Sequence, residues 1–150
     1  MIYAAITTQQ SPIAGEGIFV DEPVKKGQRI LTFEGSIISW DEALAKGREN
    51  HVVPVGMDTY MDIYEPESLV NHSCDPSAGF SDAATLIALR DLKKGDEITF
   101  DYSLVTADGW TMECHCGAEN CRGTVSDYRD LPEELKARYK DATPEWIKEL

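Results

Sequence analysis

All four cysteines of the chain fall between residues 74 and 121, and three are spaced Cys114-x-Cys116-x4-Cys121. Two thiols one residue apart sit on a tight turn, and Gly117 lets that turn close. This layout suits a tetrahedral thiolate site for a structural metal, with Cys74 brought in from elsewhere in the fold. Cys74 alone also fits a buried, reduced core cysteine. A disulfide framework fits less well, because Cys114 and Cys116 are poorly placed to bridge one another. The opening residues Met1-Ile2-Tyr3-Ala4-Ala5-Ile6 have no basic flank and read as a strand, not a signal peptide. With no secretion signal, the chain is expected to be intracellular.

A chain of 150 residues is expected to form its own hydrophobic core. No apolar run approaches the ~20 residues needed to span a bilayer, so no membrane partner is expected. Lys and Arg number 14 against 27 Asp and Glu, a formal charge of −13. Such a surface repels phosphate backbones and argues against direct nucleic-acid binding. It attracts basic partners, lysine-rich peptides among them. Asp58, Asp62, Glu65 and Glu67 form a local acidic run, either a solvated face or the wall of a groove for cations.

Read in order, residues 2–7 form a first strand, broken by Ser11-Pro12. Gly15-Glu16-Gly17 then feeds the apolar run Ile18-Phe19-Val20. It lacks the third glycine and helix of a dinucleotide fingerprint, but two glycines let backbone approach a ligand closely. Further strands are expected at 29–33, 36–40, 52–53, 59–63, 83–89 and 97–100, with a short helix at 41–46. Val24-Lys25-Lys26-Gly27 and Leu92-Lys93-Lys94-Gly95 share one turn chemistry without forming a true repeat. Asp130 is expected to cap a helix running to about Lys140, and Pro144-Glu145 to open a second one.

Taken together, Gly15-x-Gly17 before a strand, Asn71-His72-Ser73-Cys74-x-Pro76, Gly95-Asp96-Glu97-Ile98-Thr99-Phe100-Asp101-Tyr102 and Cys114-x-Cys116-Gly117-x3-Cys121-Arg122-Gly123 resemble the SET domain of protein lysine methyltransferases. The last cluster resembles the post-SET zinc segment, and the likeness covers about residues 11–123. The short stand-alone SET proteins of bacteria are the most similar in plan. The resemblance implies a mainly β fold: several small sheets, a pseudoknot around the Asp-Tyr segment, a post-SET zinc segment and short C-terminal helices. On that basis the SET domain spans 1–108, the zinc segment 109–123, and a helical tail packed on the domain 124–150.

The resemblance further implies S-adenosylmethionine as cofactor and a basic, lysine-containing protein or peptide as substrate. Glu16 and Gly17 would meet the cofactor through backbone, and Asn71 and His72 would hold its methionyl and adenine parts. Tyr102 would be the active-site tyrosine, with Cys74, Cys114, Cys116 and Cys121 on Zn2+. Phe100 stands at a Phe/Tyr switch position, where phenylalanine leaves room for di- or trimethyl products. Tyr60 or Tyr64 supplies a second channel aromatic, and Trp110 walls the channel, covers the adenine or simply packs. His72 is expected at the cofactor and not on the metal; His115 points outward.

Three departures stand out. Ser68 and Leu69 occupy places that usually read Arg and Phe, Ser77 replaces an Asn, and the Gly17–Asn71 segment is short. The short segment is consistent with methylation of free lysine or another small amine, and an acidic groove with a non-catalytic reader of basic peptides.

Overall fold

The computed structural model describes all 150 residues. Short apolar runs punctuated by Gly, Pro and Asp turns yield twelve strands: β1 (Ile6–Gln10), β2 (Glu16–Val20), β3 (Arg29–Thr32), β4 (Ser36–Ile38), β5 (Val52–Gly56), β6 (Thr59–Asp62), β7 (Asn71–His72), β8 (Ala78–Phe80), β9 (Thr85–Ala88), β10 (Glu97–Phe100), β11 (Met112–Glu113) and β12 (Thr124–Val125). Three short helices complete the chain: α1 (Trp40–Ala45), α2 (Glu133–Arg138) and α3 (Glu145–Lys148). The strands form four small sheets, ordered β1-β2-β10-β7, β3-β9-β8, β4-β6-β5 and β11-β12. The expected mainly β architecture of small sheets is what the chain adopts. None of its helices is long and apolar enough to cross a membrane.

The four-stranded sheet organises the rest. β10 lies between β2 and β7, two strands that precede it in sequence. It pairs antiparallel with β2 (Ile98 opposite Ile18) and parallel with β7 (Thr99 opposite Asn71, Phe100 opposite His72). Ile98 and Phe100 share one face of the strand and are buried in the core, while Thr99 on the opposite face is buried with its hydroxyl accepting from the Ser77 amide at 3.1 Å. The main core joins these residues to Phe33, Phe80, Leu86 and Leu104, and to Leu131, Leu135, Tyr139 and Ile147 of the tail. The tail is therefore part of the same hydrophobic body.

The two Lys-Lys-Gly turns lie against each other: the Val24 and Leu92 amides each donate to the other's carbonyl, at 2.9 and 2.7 Å. Other details differ from the sequence expectation. The first strand begins at Ile6, and Ile2 makes only a single bridge to Leu31. Thr7 to Gln10 become strand by pairing with β2, not through an apolar pattern of their own. Asp130 does not cap α2. Asp127 caps a 3-10 turn at Tyr128–Asp130 instead, and α2 starts after Pro132 with no side-chain cap. β8 was unreadable because Gly79 breaks its apolar run. The tail explains that glycine: a Cβ there would lie 2.7 Å from Cβ of Ala142.

Candidate active site and metal centre

Tyr102 follows β10 on a 3-10 turn whose N-cap, Asp101, accepts from the Ser103 amide at 3.0 Å. Its hydroxyl donates to the Val70 carbonyl at 2.7 Å, and its own amide donates to Nδ1 of His72 at 3.0 Å. The ring packs on His72 (centroids 5.3 Å apart) and on Phe100 (4.8 Å). Burial, reinforced by the Glu97 carboxylate, raises the phenol well above its ordinary pKa. The group is a fixed O–H whose lone pairs remain open to weak donors, not a base.

Tyr102 borders a cleft of about 570 Å³. Phe100, Tyr60 and Trp110 line it together with Phe33 and Val70. Phe100 is buried, edge-on to Phe80 at 5.1 Å, so it is both core and cleft wall. Between the two candidate tyrosines, Tyr60 lines the cleft, while Tyr64 is exposed, bonds Asp62 and carries Arg48 over its ring. The Tyr60 hydroxyl donates to Asp108 Oδ2 at 2.8 Å. Burial and the nearby Asp108 and Asp58 charges hold it protonated, well above its usual range. Trp110 is 40% exposed with its ring 6.4 Å from that of Tyr102, placing it at the mouth. The acidic run divides: Asp62 is buried against Arg48 at 2.8 Å, whereas Glu67 faces the cleft.

Across β10 from Tyr102, Asn71 ties the glycine turn to β7. Its amide nitrogen donates to the carbonyls of Ala14 (3.1 Å) and Glu16 (3.3 Å) and to Glu97 Oε2 (3.1 Å). Glu97 in turn accepts from Ser11 Oγ at 2.7 Å. A Cβ on Gly17 would come within 2.7 Å of Glu97 Oε2 and 3.1 Å of Asn71 Nδ2, so a side chain there would have to push the Glu97 carboxylate and the Asn71 amide aside. Carbonyls and a carboxylate converging beside Gly17 suit the ammonium group of a methionyl moiety, and the residues present fit S-adenosylmethionine on that count.

The four cysteines are free and gathered at one place. Sγ of Cys114 lies 3.8 Å from that of Cys74 and 3.7 Å from that of Cys121. A tetrahedron with ~2.3 Å metal–sulfur bonds has edges of ~3.8 Å, so these spacings fit zinc. Backbone amides of Cys74 and Arg122 donate to the sulfurs of Cys116 (3.5 Å) and Cys74 (3.4 Å), which favours thiolates. Burial alone opposes ionisation of Cys116, yet the amides of Cys74 and Ala118 and the neighbouring thiols outweigh it and lower its pKa to about 7.

His72 competes for the same place: its ring nitrogen and the sulfurs of Cys74, Cys114 and Cys116 all lie within 4.8 Å of one another. The hydrogen bonds decide between them. Nδ1 accepts from the Tyr102 amide, so in the neutral ring the proton sits on Nε2, which donates to Cys74 Sγ at 3.3 Å. Burial holds the ring neutral by lowering its pKa to about 4, against the opposing pull of Asp101. In this tautomer both ring nitrogens of His72 are engaged within the protein, while Cys121, outside that group of four, brings its Sγ to 3.7 Å from that of Cys114. His115 is exposed and meets only Glu113.

Sequence reasoning missed the Asp101–Arg122 pair. Arg122, beside Cys121, grips fully buried Asp101 through two bonds of 2.8 Å. Its signal was the Arg in Cys121-Arg122-Gly123. Glu97, Val70 and Asp108 were missed too, the first being part of the quoted motif and the other two carrying none. Ser77, the departure from Asn, is no loss of anchoring. Its Oγ donates to the Glu97 carbonyl at 2.7 Å and accepts from the Thr99 amide at 3.0 Å.

Comparison with known proteins agrees with this geometry. A family model described as "SET domain" matches residues 15–103. The histone-lysine N-methyltransferase ATX2 of Arabidopsis thaliana is 30% identical over 79% of the chain. ASHH3 of the same plant, also a histone-lysine N-methyltransferase, is 31% identical over 75%. An H3 lysine-36 specific enzyme of Candida albicans is 26% identical over 98%. The chain spans only 13%, 36% and 21% of those three proteins. Among solved structures, a humanized mutant of the Chaetomium thermophilum Polycomb Repressive Complex 2 bound to the inhibitor GSK126 shares the fold, with a TM-score of 0.59 and 22% identity over 68% of this chain and 15% of that one. With the family model matching more than half of its residues, and β10 set between β2 and β7 beside the clustered thiols, the chain belongs to the SET-domain family.

Proposed function

We propose that the protein is an S-adenosylmethionine-dependent protein lysine N-methyltransferase with a structural zinc ion, acting on a basic, lysine-containing protein or peptide such as a histone tail. The observation that carries this reading is the Tyr102 hydroxyl, fixed by Val70 at the wall of an aromatic cleft and adjoining the Asn71–His72 strand. When bound, the cofactor supplies an electrophilic methyl group on a sulfonium. The chain's own residues supply the rest. Glu16, Gly17 and Asn71 offer backbone and amide contacts on the cofactor side, with His72 behind them. Phe100, Tyr60 and Trp110 confine the lysine stem and strip water from its amine. A lysine of ordinary pKa near 10.4 must be neutral to attack, which costs about 4–5 kcal/mol at pH 7. An apolar channel lowers that cost by desolvation. Tyr102 then aligns the donor and acceptor, an effect worth several kcal/mol.

Residues 109–123 form the zinc-bearing wall, with Cys74, Cys114, Cys116 and Cys121 as ligands, between a SET body at 1–108 and the packed tail at 124–150. Phenylalanine at position 100 leaves space for di- or trimethyl products. Incubating the protein with S-adenosylmethionine and lysine-containing histone peptides tests the reading by mass spectrometry. Successive 14-Da increments on lysine are expected, reduced to a single increment in Phe100→Tyr. Methylation of free lysine but of no peptide would move the activity to small amines. Peptide binding that needs no cofactor, without methyl transfer, would make the protein a reader.

A further inference from the structure

A second cavity, of about 180 Å³, adjoins the aromatic cleft, and the two share the walls Pro54, Tyr60, Val105 and Asp108. The hydrogen bond from Tyr60 to Asp108 stands between them. The far side is built by Trp146, Met57 and Asp58. Trp146 belongs to α3, far outside the matched residues 15–103. Its Nε1 is buried and has no hydrogen-bond partner.

The lining selects by charge. Asp58 and Asp108 are exposed at the rim, neither forms a salt bridge, and no basic side chain lines the cavity. Between them lie Val105, Ala107 and the exposed Met57, an apolar bed for an aliphatic stem. Asp58 is held at the tip of the β5–β6 hairpin with φ of 45°, a conformation that aspartate tolerates better than most side chains. A long side chain with an apolar stem and a cationic head satisfies floor and rim together. Arginine does so better than lysine, since its planar group can fork onto a carboxylate and stack on an indole.

We propose that this cavity is a substrate subsite, in which Trp146 and Asp58 take an arginine flanking the target lysine. The inference rests on reading the larger cleft as the lysine channel, and it makes the C-terminal tail a specificity element.

The test uses lysine-centred peptides in which one arginine is moved through each neighbouring position, each paired with a citrulline version of the same shape and no charge. Methylation kinetics are read alongside equilibrium binding of copies whose lysine is replaced by methionine. At one position citrulline is expected to raise both Kd and KM about tenfold, with kcat within about twofold. Asp58→Asn should erase that difference, and Trp146→Phe should weaken both members of the pair about threefold through the smaller ring offered for stacking. Thermal melts confirm that both variants fold. An arginine preference that survives unchanged in Asp58→Asn, or no preference at any position, overturns the subsite. Failure of methyl transfer on every peptide overturns the enzyme reading instead, and the binding measurements still decide the subsite.

Discussion

At the scale of single residues, the hydroxyl of Tyr102 does two jobs: it satisfies the buried Val70 carbonyl and presents lone pairs to the cleft. Tyr102→Phe should lower turnover by about 10²-fold through loss of alignment. It should also cost about 1–2 kcal/mol of stability, because the Val70 carbonyl is left unpaired. Single-turnover rates and denaturant titration separate the two effects. Asp127 gives a pH signature unrelated to catalysis. Hydrogen bonds from Arg129 lower its pKa to about 2. Its folded value is depressed, so the stabilisation is present above the ordinary value of about 3.9 and is lost as pH falls through 2. Asp127→Asn should therefore flatten the acid limb of a stability-against-pH curve between about pH 4 and 2, by an amount of order 1–2 kcal/mol.

At the scale of elements, the cysteine cluster and Tyr102 are one unit. His72 joins the Tyr102 amide to Cys74 Sγ, and Asp101 is clamped by Arg122. Elemental analysis should find one zinc per chain. Its removal should raise hydrogen exchange in 109–125 and at Tyr102 while sparing the β3-β9-β8 sheet. Arg122→Ala should cost about 3 kcal/mol by stranding the buried Asp101 carboxylate, visible as a lower melting temperature even with zinc supplied.

What could be read beforehand follows the same division. The glycine turn, Asn71-His72-Ser73-Cys74, the Asp101-Tyr102 strand end and the cysteine spacing are local patterns, and the fold brings them into one neighbourhood. β7, β8 and β12 are two or three residues long and exist only because a partner strand lies beside them. Tyr60–Asp108 and Asp101–Arg122 join positions 48 and 21 residues apart, and no local pattern encodes such pairs. The failed cap at Asp130 has a similar cause: buried Leu131 pulls the chain into an extended turn before α2 can start.

At the scale of the whole molecule, the charge of −13 acts on every encounter with a basic partner. Raising ionic strength from about 0.05 to about 0.3 M should increase KM for a basic peptide several-fold and leave kcat nearly unchanged. A neutral peptide around the same lysine should show little of this dependence. Intercalation of β10 between β2 and β7 reaches further, into how the molecule is made. The sheet draws on residues 6–20, 71–72 and 97–100, and the clamp on Asp101 waits for Arg122. A nascent chain emerging from the ribosome therefore has no competent intermediate: fragments ending before about residue 147 should be inert, because the core also waits for Leu131, Leu135, Tyr139 and Ile147.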